Sequence, residues 1–252
     1  MTAPIIEGAE PFHADGDDRG VLVVHGFTGN PHSMRPVAEA LAGAGFTVDL
    51  PLLPGHGTAV ADMLETGFDD WLAEAERAYG ALAATCRTVA VVGLSMGGAL
   101  TAWLASEHAE ISGIACLNAV VTPPEGMREG LEEMLAAGQE TMDGIGSDIA
   151  KEGVAESAYP ETPLRPLLTL FDAAAELEGR LGRISCPVLV VNSPQDHVVD
   201  PANSDVLAAS VAGPVERVTA PDSFHVVTLD HDGPAVVAAI VDFCTRVSTT
   251  SP

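Results

Sequence analysis

The sequence predicts an α/β fold, a doubly wound and mostly parallel sheet carrying a small helical insertion. Three observations lead there. Short β-branched runs alternate with longer helical patterns, a glycine-flanked serine stands where one such run gives way to a helix, and one stretch, 118–183, breaks the alternation. The runs at 21–24, 47–50, 89–92, 114–117, 188–191 and 215–218 are bounded by Gly, Pro or polar residues, as fully buried strands of a parallel sheet should be. Helices are expected near 33–43, 68–86, 96–108, 201–211 and 233–247, several opened by Pro or a small polar residue. Residues 118–183 carry no convincing strand but show helical patterns at 128–137 and 164–177. They read as a cap over the sheet, hinged at Pro123-Pro124 and Ile184-Ser185-Cys186-Pro187, with 1–117 and 184–252 forming the core. A pair of ordinary connecting helices is the alternative.

Composition narrows the function. The 252 residues hold 36 acidic and 11 basic side chains, a formal charge of −25, yet 47% are hydrophobic. An apolar core inside an acidic skin follows, large enough for one folded domain. Such a surface repels phosphate backbones and anionic membrane surfaces at moderate salt, so nucleic acid is not an expected partner, and a neutral or cationic small molecule is easier to accommodate. Cys86, Cys116, Cys186 and Cys244 lack paired Cys-x-x-Cys spacing and read as buried thiols rather than metal ligands. The N-terminal stretch has no basic and apolar signal pattern, and no run of about 18 apolar residues occurs, so a soluble cytoplasmic protein is expected.

The chemistry is written at strand ends. The run at 89–92 passes straight into Gly93-Leu94-Ser95-Met96-Gly97-Gly98 and then a helical pattern. A serine at such an elbow is held in a strained backbone conformation at the carboxyl edge of the sheet, where the helix start favours developing negative charge. Its base should follow the last strand, and its acid a late one. Pro221-Asp222-Ser223-Phe224-His225 follows the run at 215–218, and Ser193-Pro194-Gln195-Asp196-His197 follows that at 188–191. Ser95, Asp196 and His225 are therefore expected as nucleophile, acid and base. Asp200, Asp222 and Asp230 are the rival acids; the first lies further from its strand and the others flank the histidine. For the oxyanion, the N–H of Met96 is one expected donor, and the N–H of Phe27, in His25-Gly26-Phe27-Thr28-Gly29, is the other. His25 reads as a brace for that loop rather than a proton carrier.

These motifs resemble the α/β-hydrolase superfamily. More narrowly, His25-Gly26-Phe27-Thr28-Gly29-Asn30-Pro31, Pro54-Gly55-His56-Gly57, the Ser95 elbow, Asp196-His197-Val198-Val199 and His225-Val226-Val227-Thr228-Leu229-Asp230 are similar to bacterial monoacylglycerol lipases and small thermostable carboxylesterases. Within the insertion, Ile145-Gly146-Ser147-Asp148 and Glu156-Ser157-Ala158-Tyr159 look like the monoacylglycerol lipase pattern. The resemblance implies an α/β-hydrolase fold with a cap forming an acyl tunnel, Glu156 near a glycerol headgroup and Ile145 narrowing the pocket above the serine. It also implies a serine hydrolase that cleaves carboxylic esters, with a monoacylglycerol as small-molecule substrate, no metal or cofactor, and transient contact with lipid aggregates. A general carboxylesterase is the nearest alternative. An acyltransferase, a cofactor-free haloperoxidase and a binding protein that kept the fold are more distant ones.

Overall fold

The computed structural model describes residues 3–249. The chain enters as β1 (Phe12–Ala14) and β2 (Arg19–Val24), then passes a 3-10 turn at Pro31–Met34 into α1 (Arg35–Gly43), β3 (Thr47–Leu50), the single-turn α2 (Val60–Met63) and α3 (Phe68–Ala83). Next come β4 (Thr88–Leu94), α4 (Met96–Glu107), β5 (Gly113–Leu117), α5 (Met127–Ala136), β6 (Thr141–Asp143), β7 (Glu161–Pro163) and α6 (Leu164–Glu178). A 3-10 turn at Leu181–Arg183, then β8 (Val188–Asn192), α7 (Ala202–Ser210), β9 (Val215–Thr219) and α8 (Gly233–Thr249) follow.

Seven strands form one sheet in the order β1-β3-β2-β4-β5-β8-β9. Only β1 runs antiparallel, against β3; the other neighbours are parallel. Because strand side chains alternate, each central strand feeds two cores. Leu22, Val91, Ile114 and Val190 pack with α3, α4 and α6 on one face. Val23, Val92, Ala115 and Val191 pack with α1 and α8 on the other. This explains the unbroken apolar runs, since β4 and β5 are buried along their whole length.

Two of the expected buried strands differ. β3 buries Val48 and Leu50 but leaves Thr47 and Asp49 half-buried, because only one of its faces is fully covered. β9 is the sheet edge, where Glu216 and Arg217 are exposed and pair with Arg246 and Asp205. Two cysteines differ as well. Cys116 and Cys244 are buried, whereas Cys86 and Cys186 are only partly so, because each lies just before a strand at the sheet's amino edge. Among the described residues no helix is long and apolar enough to cross a membrane.

The segment 118–183 holds the two expected helices, now α5 and α6, and also two strands that the sequence does not announce. β6 and β7 pair antiparallel as a three-residue ladder, too short to leave an alternating pattern and therefore invisible to periodicity. Leu164, Leu167 and Leu170 of α6 sink into the core shared with α3 and α4. Tyr159 fastens the segment further: its hydroxyl donates to Gly55 O at 2.8 Å and accepts Thr58 N–H at 2.9 Å, while its own N–H reaches Thr28 O at 3.1 Å.

Candidate active site

β4 ends directly at Ser95, whose backbone stands at φ 58°, ψ −119°. A non-glycine residue seldom adopts that conformation, and here the surroundings impose it. Ser95 N–H donates to Leu117 O on the neighbouring strand at 2.9 Å, and Ser95 O accepts from Ala99 and Val120 at 3.1 and 3.3 Å. The turn also demands close approach of α4 to the sheet. A β-carbon on Gly97 would lie 2.3 Å from Val24 O and 2.6 Å from His25 O, so only glycine fits.

The loop after β2 faces the serine. A β-carbon on Gly26 would lie 3.4 Å from Ser95 Cβ and 4.0 Å from its Oγ. In that loop Thr28 takes φ 58°, a costly value for a β-branched residue. Among the described residues the Phe27 N–H meets no acceptor. Met96 opens α4, so its N–H is one of those that a helix leaves without an internal partner. Two unclaimed donors thus border Ser95.

Buried side chains brace the loop from beneath. Leu53 N–H donates to His25 Nε2 at 3.1 Å, which leaves Nδ1–H to donate to Gly26 O at 3.0 Å. His25, His56, Phe27 and Trp71 stack edge to face with ring centroids 5.0 to 6.4 Å apart. Burial pushes the His25 imidazole down to about 4, the Gly26 hydrogen bond working against it. His56 is also held well below its ordinary value, chiefly by burial and then by His25. Both rings are neutral at pH 7, in keeping with a bracing rather than proton-carrying part for His25.

The loops after β8 and β9 bring Asp196 to His225, with Nδ1 and Oδ2 2.7 Å apart and both side chains buried. A carboxylate can only accept, so His225 Nδ1 carries the proton and Nε2 is left basic. Asp196 Oδ1 accepts the N–H groups of Val198 and Val199 at 2.8 and 2.9 Å, which fixes the carboxylate plane. None of the rival acids makes this contact with His225. Asp200 accepts from Ala202 N–H at the start of α7. Asp230 accepts backbone N–H groups of Ala150, Lys151, Phe224 and His231; burial works to raise its carboxyl, and these bonds outweigh that and hold it low. Asp222 sits on the open surface, its N–H bonded to Asp232.

Ser95, Phe27 and His225 line one cavity of about 400 Å³. Val120, Leu167, Leu170 and Phe171 form an apolar wall, and Thr28, Asp148 and Glu156 add polar groups. A β-carbon on Gly29 would lie 2.7 Å from Glu156 Oε1, which sets that carboxyl against the 25–29 loop. Burial raises the Glu156 carboxyl above its ordinary range, with His225 and Ser33 opposing. Ile145 also lines the cavity but is 56% exposed, and Met127 is 44% exposed. These two side chains belong to the rim.

Three further residues hold the site in bracing roles that the sequence reading does not assign to them. Asn118, at φ 42°, donates to His225 O at 2.8 Å and accepts Ser193 N–H at 2.8 Å. Asp148 and Asp230 accept backbone N–H groups from the histidine loop. A polar residue directly after a buried strand is the one signal that could have marked Asn118. Among the described residues no three His, Cys, Asp or Glu side chains are grouped to hold a metal ion.

Comparison with known proteins agrees with this architecture. The model of the alpha/beta hydrolase family matches residues 21–240. A thermostable monoacylglycerol lipase of Bacillus sp. (strain H-257) is 46% identical over 244 residues, covering 95% of this chain and 96% of that protein. A carboxylesterase of Bacillus subtilis (strain 168) is 27% identical over 242 residues, covering 94% and 97%. Among solved structures, one of the metagenome-derived lipolytic enzymes LipS and LipT superimposes with a TM-score of 0.93 at 39% identity, covering 96% of this chain and all of that one.

Proposed function

Because this chain belongs to the alpha/beta hydrolase family, we propose that it is a monoacylglycerol lipase, a carboxylic ester hydrolase working through a serine acyl-enzyme. Ser95 Oγ attacks the ester carbonyl while His225 Nε2 takes its proton. Asp196 holds the imidazole in the required tautomer and stabilises the imidazolium. The N–H groups of Phe27 and Met96 receive the oxyanion, and an N–H already unclaimed needs no rearrangement to do so. Collapse expels glycerol with the proton returned by His225; water, activated by the same nitrogen, then releases the fatty acid.

One observation carries the choice of substrate: the cavity that holds Ser95 and His225 has an apolar wall along α6 and the Glu156 carboxyl on its polar side. The wall suits one acyl chain, and Glu156 suits a headgroup rich in hydroxyls. Residues 118–183 act as the cap that supplies both. The exposed Met127 and Ile145 at the rim suit brief contact with lipid aggregates. A general carboxylesterase is the second reading, favoured by the Bacillus subtilis relative.

The test is release of glycerol and fatty acid from monoacylglycerols of graded chain length, beside di- and triacylglycerols and short p-nitrophenyl esters. Monoacylglycerols should be preferred, and Glu156→Ala should lower the ratio of glyceryl to simple alkyl ester turnover at least fivefold or so. Preference for short simple esters, with that ratio unmoved by the substitution, would establish the carboxylesterase reading instead.

A further inference from the structure

Asp148 lies between β6 and β7, in the segment over the sheet, yet its hydrogen bonds go to the loops that carry the acid and the base. Its side chain is 14% exposed. Oδ2 accepts the backbone N–H of His197 and that of His225, each at 3.1 Å. Oδ1 lies 2.8 Å from His197 Nδ1, which serves as donor to it. The Asp148 carbonyl accepts Val226 N–H at 3.1 Å. His197 directly follows Asp196, and Val226 directly follows His225, so one residue of the insertion grips the main chain beside both partners. Asn118 completes the hold by donating to His225 O at 2.8 Å. With its N–H and C=O both engaged, the backbone of His225 cannot rotate without breaking a buried bond.

We propose that Asp148 is a positioning residue for His225, and hence that the cap forms part of the machinery that places the base. The proposal rests on the reading of Ser95, Asp196 and His225 as the reacting groups. Its physical basis is geometric. The loops after β8 and β9 are set by different strands, and a carboxylate accepting from both fixes their spacing at the point where the Asp196–His225 contact forms. Misplacing a catalytic group by about 1 Å is enough to cost on the order of a hundredfold in rate. The role requires an acceptor oxygen in the right place, not a negative charge.

That distinction makes the test. Asp148→Asn retains an oxygen for the two N–H groups and loses the charge; Asp148→Glu retains the charge and carries the oxygens out of place; Asp148→Ala removes both. Steady-state turnover of a p-nitrophenyl ester, and the rate of labelling by a fluorophosphonate probe, are measured at a temperature where circular dichroism shows each variant folded. The Ala and Glu variants should lose about 10- to 100-fold in kcat, with KM within about threefold and labelling slowed in parallel. The Asn variant should keep kcat within about threefold. If the Ala variant does not fold, the comparison of Asn with Glu carries the test alone. A Glu variant as active as wild type, an Asn variant as impaired as Glu, or a loss confined to KM would each overturn the proposal. Ser95→Ala is run alongside. Full activity there sinks the underlying reading, whereas an inactive Ser95→Ala with unimpaired Asp148 variants sinks the positioning role only.

Discussion

Asp196 and Asp200 share one loop, and their partners separate them. Asp196 spends one oxygen on two backbone N–H groups and the other on His225, with 1% of its side chain exposed. Asp200 accepts Ala202 N–H, and its carbonyl accepts from Asn203, so it fastens the turn that leads into α7. Exchange of oxygen for NH2 at Asp196 would place a donor against His225 Nδ1 and select the wrong tautomer. Asp196→Asn should therefore lower kcat by about 10³- to 10⁴-fold. Asp200→Asn should change kcat by less than about threefold and shift stability by no more than about 1 kcal/mol, since the amide oxygen can still accept the Ala202 N–H. Initial rates and thermal melts on the two proteins decide this, and the reverse order of effects would move the acid to Asp200.

The elbow between β4 and α4 shows how an element, rather than a residue, meets a steric demand. Gly97 has no room for a methyl group because the carbonyls of Val24 and His25 lie where it would go. Gly80, exposed in α3, has nothing within 4 Å. Gly97→Ala should thus cost at least about 1–3 kcal/mol through overpacking and lower kcat by drawing Ser95 away from the 25–29 loop. Gly80→Ala should gain about 1 kcal/mol from helix propensity, a rise of about 2–4 °C in Tm. A Gly97→Ala protein as stable and active as wild type would contradict the crowding. The same contrast between elements explains what could be read in advance. Strands β2, β4, β5 and β8 were legible because burial on both faces leaves continuous apolar runs. β1, β6 and β7 were not, since three residues cannot display a period and their partners lie far along the chain. Ser95, Asp196 and His225 could be singled out from their places after strands, and the structure brings Asp196 against His225 and lines one cavity with His225 and Ser95. Asp148 and Asp230 stand in motifs the sequence singles out, but their bracing role was not legible, because they recognise backbone N–H groups, which every residue but proline presents alike.

Across the whole molecule, buried histidines and surface charge make opposing demands on pH. His25 and His56 titrate lower in the folded chain than in the unfolded one, chiefly because burial disfavours their charged form. Their contribution is complete above about pH 6.5 and is lost as pH falls, since the unfolded chain then takes up protons that the folded chain refuses. For His25, with a folded value of about 4, the loss between pH 6.5 and 4 amounts to roughly 3 kcal/mol. The charge of −25 works the other way, because acid relieves repulsion. About 0.5 M salt screens that repulsion, so urea unfolding at high salt should show stability falling steadily from pH 6.5 towards 4; a flat profile would mean that the two rings are not held neutral. The scatter of the site along the chain has a last consequence, for folding. Phe27, Ser95, Glu156 and His225 line one cavity, and Asp196 reaches it through His225, only when β2, β4, β8 and β9 are all in register, and His225 follows the final strand. On the mechanism proposed above, a ribosome-bound chain lacking its last strand therefore has no base with which to turn over an ester. Turnover is in this way a reporter of completed folding, and on refolding its return should lag behind that of helical circular dichroism.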